Sequence, residues 1–143
     1  MMLVDTNVMI YAHRPDAERH TEYREWLEAM VNGPEPYAVS DVALSGMIRI
    51  VTSPRIYRVD PTPTETALSF ADRIRNQPHA NVVSPGARFW DIFTGLCRTT
   101  GACGDLISDV YLAAVALEEG CEVVSADKDF RRFAGLRWRH PLN

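Results

Sequence analysis

Lysine is almost missing from this chain. Lys128 is the only one among 15 cationic residues, and all the others are arginine. With 19 acids the formal charge is -4, so the basic balance of a protein that coats nucleic acid is missing too. That balance does not exclude an enzyme on phosphodiesters whose acids are committed to a metal. Arginine's planar fork suits phosphate, although a compositional bias of the source genome explains the ratio equally well. Cysteine is scarce: Cys97, Cys103 and Cys121 are odd in number and show no zinc-like pairing with histidine. Reduced thiols in the cytoplasm are the expectation. No apolar run approaches the roughly 20 residues that cross a bilayer. Met1-Met2-Leu3-Val4 meets an acid at once, so neither a membrane anchor nor a secretory leader is expected. There is also no convincing Ser-His-Asp or Cys-His set, because His13, His20, His79 and His140 fall in boundary segments without ligand spacing.

What is present is an alternation of short apolar runs with helical stretches, the pattern of an α/β fold. Met2–Val4 predicts a first strand and Thr6 to Ala12 a short helix after it. Asp16 to Asn32 predicts a second helix with Tyr23, Trp26, Leu27 and Met30 on one face, stopped by Gly33-Pro34. Tyr37 to Val39 reads as a strand, and Ser40 or Asp41 then caps a helix running to about Val51. Pro63 to Asn76 is helical, with proline at a tolerated first-turn position. Asn81 to Val83 is a strand and Ala87 to Thr99 a helix. A loop from Gly101 to Gly104 leads into the helix of Ser108-Asp109, and Glu122 to Ser125 is a strand. A last strand around Leu136 to Trp138 closes the sheet edge. No repeat or linker interrupts the pattern, so residues 1–143 are expected to form a single domain with a mainly parallel sheet between two helical layers.

The chemistry lies in the acids. Asp5 follows the first strand, Asp127 and Asp129 follow the strand ending at Ser125, and Asp109 stands at the start of a long apolar helix. Singly, each has an ordinary role, as a helix cap, a macrodipole partner or a turn residue. Jointly they offer carboxylates toward the carboxyl ends of parallel strands, where open α/β sheets bind ligands. Gathered acids repel and raise one another's pKa unless they hold a hard cation such as Mg²⁺ or Mn²⁺. Such a cation activates water for in-line attack on a phosphodiester, so no nucleophilic side chain is needed.

These residues resemble a known family. Asp5-Thr6-Asn7-Val8-Met9-Ile10-Tyr11 is similar to the opening motif of PIN-domain proteins. Ser108-Asp109-Val110-Tyr111-Leu112-Ala113-Ala114 and Ser125-Ala126-Asp127-Lys128-Asp129-Phe130 resemble their later acidic motifs. The segment Leu44 to Arg55 and the ending Gly135 to Leu142 are similar to a subgroup of VapC toxins. The resemblance implies a PIN-like three-layer α/β/α fold and a Mg²⁺-dependent endoribonuclease, with Mn²⁺ able to substitute. It further implies a toxin neutralised by a VapB-type antitoxin, a homodimer, and structured RNA such as tRNA or rRNA as substrate. By motif, Asp5, Asp109 and Asp127 are the catalytic and metal-site acids. Asn7, Ser125, Asp105 and Asp129 are supporting groups, and Arg49 and Arg131 are substrate-binding candidates, with Arg55 and Arg132 as further phosphate grips. One departure stands out: Gly46 occupies the position where many PIN nucleases carry a glutamate. Asp41 is the nearest substitute.

Two other classes compete. A phosphoacceptor domain needs an acid pair after the first strand, but Asp5 has no acidic neighbour, and Val83 leads to Ser84-Pro85 rather than to an aspartate. A catalytically weak PIN-fold module that binds RNA or antitoxin is compatible with the gap at Gly46.

Overall fold

Each apolar run becomes a strand and each amphipathic stretch a helix. The computed structural model describes all 143 residues. In chain order the elements are β1 (Met2–Val4), α1 (Thr6–His13), α2 (His20–Asn32), β2 (Tyr37–Ser40), α3 (Asp41–Val51), α4 (Thr64–Arg75), β3 (Ala80–Val83), α5 (Phe89–Thr100), α6 (Leu106–Glu119), β4 (Glu122–Val124) and β5 (Trp138–Arg139). A 3₁₀ turn, Lys128–Arg132, lies between the last two strands. No helix is long and apolar enough to cross a membrane.

The sheet order is β3-β2-β1-β4-β5, and every neighbouring pair is parallel. The sheet is thus wholly parallel, where the sequence suggested mainly parallel. From β1 the chain steps outward to β2 and β3, then crosses back to place β4 and β5 on the other side of β1. Right-handed crossovers in opposite directions put helices on opposite faces, which gives the three-layer α/β/α arrangement. The main helix packings follow suit: α1 on α2 and α3, α3 on α4, and α5 on α6. The strand order reverses between β1 and β4, and there a crevice opens at the carboxyl ends.

Burial on both faces explains the near-continuous apolar character of the strands. Leu3, Val123 and Val124 are fully buried, as is Tyr37, whose hydroxyl donates to the Ile74 carbonyl at 2.6 Å. In α6, Ala113, Ala114 and Ala116 are fully buried beside Val110 and Val115, so the small side chains let this helix lie close in the core.

Most boundaries shift from the sequence reading by a residue or two, and three differences have a visible cause. The second helix starts at His20, four residues after Asp16. Arg19 is in the left-handed region (φ 57°), and Asp16 is held by Arg14 instead of starting the helix. Asp109 does not open its helix. It lies in the first turn, three residues after Leu106. The last strand is Trp138–Arg139, because Gly135 (φ 81°) and the Leu136 N–H bond to the Phe133 carbonyl keep the chain turning until then.

Arg14 deserves its burial (6% exposed) for a physical reason. Its guanidinium donates twice to Asp16, at 3.0 and 2.9 Å, to the Asp60 carbonyl at 2.7 Å and to the Thr62 hydroxyl at 3.2 Å. It also lies 4.0 Å from the centre of the Tyr57 ring. One fork therefore ties the end of α1 to the long connection between α3 and α4. Arg14→Ala should destabilise the protein by about 1.5–3 kcal/mol, the range for hydrogen bonds to charged groups. Asp16→Asn should cost much less, since that partner is largely exposed. Denaturant unfolding of the two variants checks the order, and equal losses would contradict it.

Candidate active site

The crevice at the β1/β4 reversal is built around one hydroxyl. Asp5 follows β1 directly, and its backbone N–H donates to the Val124 carbonyl at 2.9 Å, extending the strand pairing by one step. Its carboxylate has two fixed partners: Oδ1 accepts from the Thr6 N–H at 2.7 Å, capping α1, and Oδ2 accepts from the Ser125 hydroxyl at 2.7 Å. Ser125 is fully buried. Its oxygen in turn accepts from the Asn7 amide at 3.2 Å and from the Asp127 N–H at 3.0 Å. One donor and two acceptor sites are thereby all used. Asn7 Oδ1 accepts from the Ala126 N–H at 3.3 Å, so the amide clasps the same turn. The Asp127 carboxylate caps the 3₁₀ turn by accepting from the Asp129 N–H at 2.9 Å.

Asp5, Asn7, Asp105, Asp109 and Asp127 line one open cleft of about 610 Å³, and Arg49 lies on its wall. The carboxylates sense one another. Burial pushes the Asp5 carboxyl upward, the Ser125 and Thr6 hydrogen bonds oppose this, and the charge of Asp127 adds to the rise. Asp109 is pushed from 3.8 to about 7, first by burial and then by Asp5, Asp127 and Asp129, with Arg132 opposing them. The acids are thus under-neutralised in the protein alone.

The donor set fits a hard cation. The cleft offers carboxylate, amide and hydroxyl oxygens and contains neither histidine nor cysteine. No three His, Cys, Asp or Glu side chains are drawn tightly enough together to form a ready-made cage. Mutual repulsion opposes such closure, and Mg²⁺ binds through few carboxylates while retaining waters. Asp5, Asp109 and Asp127 are the residues that would hold it.

The other candidates divide. Ser125 supports from behind, fully buried. Asp105 is exposed on the cleft wall and makes no capping bond to α6. Asp129 lies outside the wall and pairs with Arg132 at 3.5 Å, acting on Asp109 through charge alone. Asp41 does not substitute for the missing glutamate. It is the exposed first residue of α3 and pairs with Arg75 at 2.7 Å, away from the cleft. Arg131 is not in this cleft but in an adjoining one. Gly46 does form part of the wall, where a Cβ would stand 3.3 Å from Thr6 Oγ1. Sequence reasoning missed two supports: the Thr6 hydroxyl, which donates to the Ala43 carbonyl at 2.9 Å, and the Trp138 indole, which donates to the Ser125 carbonyl at 3.2 Å. No local signal announces either, since both partners are remote in sequence.

Comparison with known proteins identifies the family. The family model for the PIN domain matches residues 2–136. Ribonuclease VapC43 of Mycobacterium tuberculosis is 43% identical over 143 residues, covering 100% of this chain and 97% of the relative. Among solved structures, VapBC2 from Rickettsia felis, bound to a DNA fragment from its promoter, aligns with a TM-score of 0.66 at 17% identity, covering 97% of each chain. VapC20 of Mycobacterium tuberculosis, described as a sarcin-ricin loop cleaving toxin, aligns with a TM-score of 0.67 at 18% identity, covering 96% of this chain and 99% of that one. The chain belongs to the PIN-domain family. Full-length identity narrows the assignment to its VapC ribonucleases.

The raised pKa of Asp109 has a consequence for stability. An unfolded aspartate ionises near 3.8, while folded Asp109 keeps its proton to about 7. The folded state therefore binds more protons across that window, and stability falls as pH rises through it. Asp109→Asn should raise the melting temperature of the metal-free protein at about pH 8, with the gain shrinking toward about pH 4. Thermal melts in chelator at both pH values test this, and an equal shift at both would contradict it.

Proposed function

We propose that this protein is a Mg²⁺-dependent endoribonuclease, with Mn²⁺ able to substitute, and the toxin of a toxin–antitoxin pair. The observation that carries the reading is the meeting of Asp5, Asp109 and Asp127, from three separate stretches of chain, in one cleft without histidine or cysteine. This supports hydrolysis by water rather than by a side-chain nucleophile. When bound, the cation supplies Lewis-acid stabilisation of charge on the phosphate oxygens and lowers the pKa of water. The chain's own part is placement. Ser125 and the Thr6 N–H fix the Asp5 carboxylate, the Asp129 N–H fixes Asp127, and Asn7 holds the turn between them. Arg49 on the cleft wall grips a substrate phosphate. The substrate in this reading is a structured RNA such as a tRNA or rRNA, cut in an unpaired loop whose backbone can enter an open cleft.

A VapB-type antitoxin as the neutralising partner is supported by the VapC relatives and by the VapBC complex among the structures of the same fold. A homodimer belongs to the same reading. The apolar surface available to a second copy includes Leu68 on α4 and, more prominently, Trp90 on α5, which is 65% exposed. A solution mass of one chain by light scattering at high micromolar concentration would remove the dimer from the reading.

A catalytically weak binding module is the second reading, and Gly46 is the observation that favours it, because the cleft lacks one carboxylate. Cleavage assays separate the two. RNA cleavage should stop in chelator, return with Mg²⁺ or Mn²⁺, and leave 5′-phosphate and 3′-hydroxyl ends. Asp5→Asn should lower the rate by more than about a hundredfold, since even supporting residues behind metal ligands cost 10–100-fold. Gly46→Glu should tighten Mg²⁺ binding by calorimetry, while Gly46→Ala should not. Cleavage that persists in chelator, or products ending in 2′,3′-cyclic phosphate, would refute the mechanism.

A further inference from the structure

A second cleft begins where the acidic one ends, and Asp127 is the one residue lining both. Across that residue the sign of the charge inverts. Lys128 and Arg131 project from the 3₁₀ turn that Asp127 caps, both are exposed, and neither forms an ion pair. The neighbouring cations are already engaged: Arg132 with Asp129 at 3.5 Å, and Arg139 with Glu122 at 2.9 Å. Arg131 lies over the Trp138 ring, 5.1 Å from its centre. Trp138 is itself half-buried and held by its bond to the Ser125 carbonyl, so this cleft is tied to the backbone of the residue whose hydroxyl orients Asp5.

An acidic cleft repels a polyanion, so substrate needs anchoring beside it. A cation with no acidic partner is the feature that suits phosphate, because no ion pair must be broken on binding. A guanidinium lying over an indole sets a planar cation beside an aromatic ring, and unpaired RNA bases stack on both kinds of plane. We propose that this shelf binds the single-stranded RNA segment flanking the scissile phosphate on the Asp127 side. Lys128 holds a backbone phosphate, and the Arg131–Trp138 pair is the platform on which a base stacks. The inference rests on the ribonuclease reading above and adds to it the position of the strand and two specificity-determining contacts.

The test is steady-state cleavage of a fluorescent stem-loop RNA, with the scissile bond in its unpaired loop, by the full chain with Mg²⁺ over a series of salt concentrations. Lys128→Ala should raise KM severalfold, leave kcat unchanged, and reduce the log–log salt slope of kcat/KM by about 0.7, the value for one phosphate contact on a single strand. Arg131→Lys keeps the charge but loses the plane, so it should raise KM while largely preserving the salt slope. Both positions are exposed, so both variants should fold as the wild type does. If wild-type protein does not cut RNA under any metal condition, the ribonuclease reading fails and the shelf with it. If the wild type cuts but both variants keep its KM and salt slope, the shelf alone is overturned. Unchanged RNA kinetics with weakened inhibition by an antitoxin would assign the surface to protein docking and overturn it equally. A fall in kcat at unchanged KM would do so as well, because it would mean these residues merely shape the acidic cleft.

Discussion

The parallel pairing of β1 with β4 is the constraint on which the cleft depends. Leu3 opposite Val123 and Val4 opposite Val124 set the register, and the bond from the Asp5 N–H to the Val124 carbonyl carries it past the strand ends. With that register fixed, Asp5 and Ser125 emerge side by side. A slip of one residue would send their side chains to opposite faces of the sheet. Complete burial of Leu3, Val123 and Val124 guards against such a slip, so the apolar core specifies the polar site.

The polar groups behind the carboxylates form a small, saturated network. Ser125 spends its one proton on Asp5 and both acceptor sites on Asn7 and Asp127, which leaves none of the three free to reorient cheaply. In front of that network the carboxylates face one another with little compensation. The structure thus spends stability on the side open to solvent and recovers order on the side facing the core. That division is common where chemistry requires concentrated charge.

Much of this was legible in the sequence, for identifiable reasons. Asp5 was readable as a cap, and Ser40 as one of two with Asp41, because capping is a local matter of one side chain and the next two or three N–H groups. Strands β1 and β2 were readable because burial on both faces makes them continuously apolar. The start of α2 was misplaced because Asp16 serves a guanidinium two residues earlier instead of the helix, and a carboxylate does not advertise which it will choose. Asp41 looked like a neighbour of the acids until its partner, Arg75 on the following helix, was known. The Trp138 contact with Ser125 was likewise invisible, since it joins residues of different strands whose register only the folded sheet defines.

The great separation along the chain between Asp5 and Ser125 has a consequence for the order of events during synthesis. Asp5 is made long before its strand neighbour in β4 and 120 residues before its hydroxyl partner Ser125. Closing so long a loop delays the central pairing, as expected for parallel sheets with non-local contacts. Until β4 emerges, β1 has only β2 beside it, and the carboxylate of Asp5 has no Ser125 to orient it. Whatever the cleft does, a nascent chain cannot do it before β4 and Ser125 have emerged: the fold withholds its chemistry until that late strand is made.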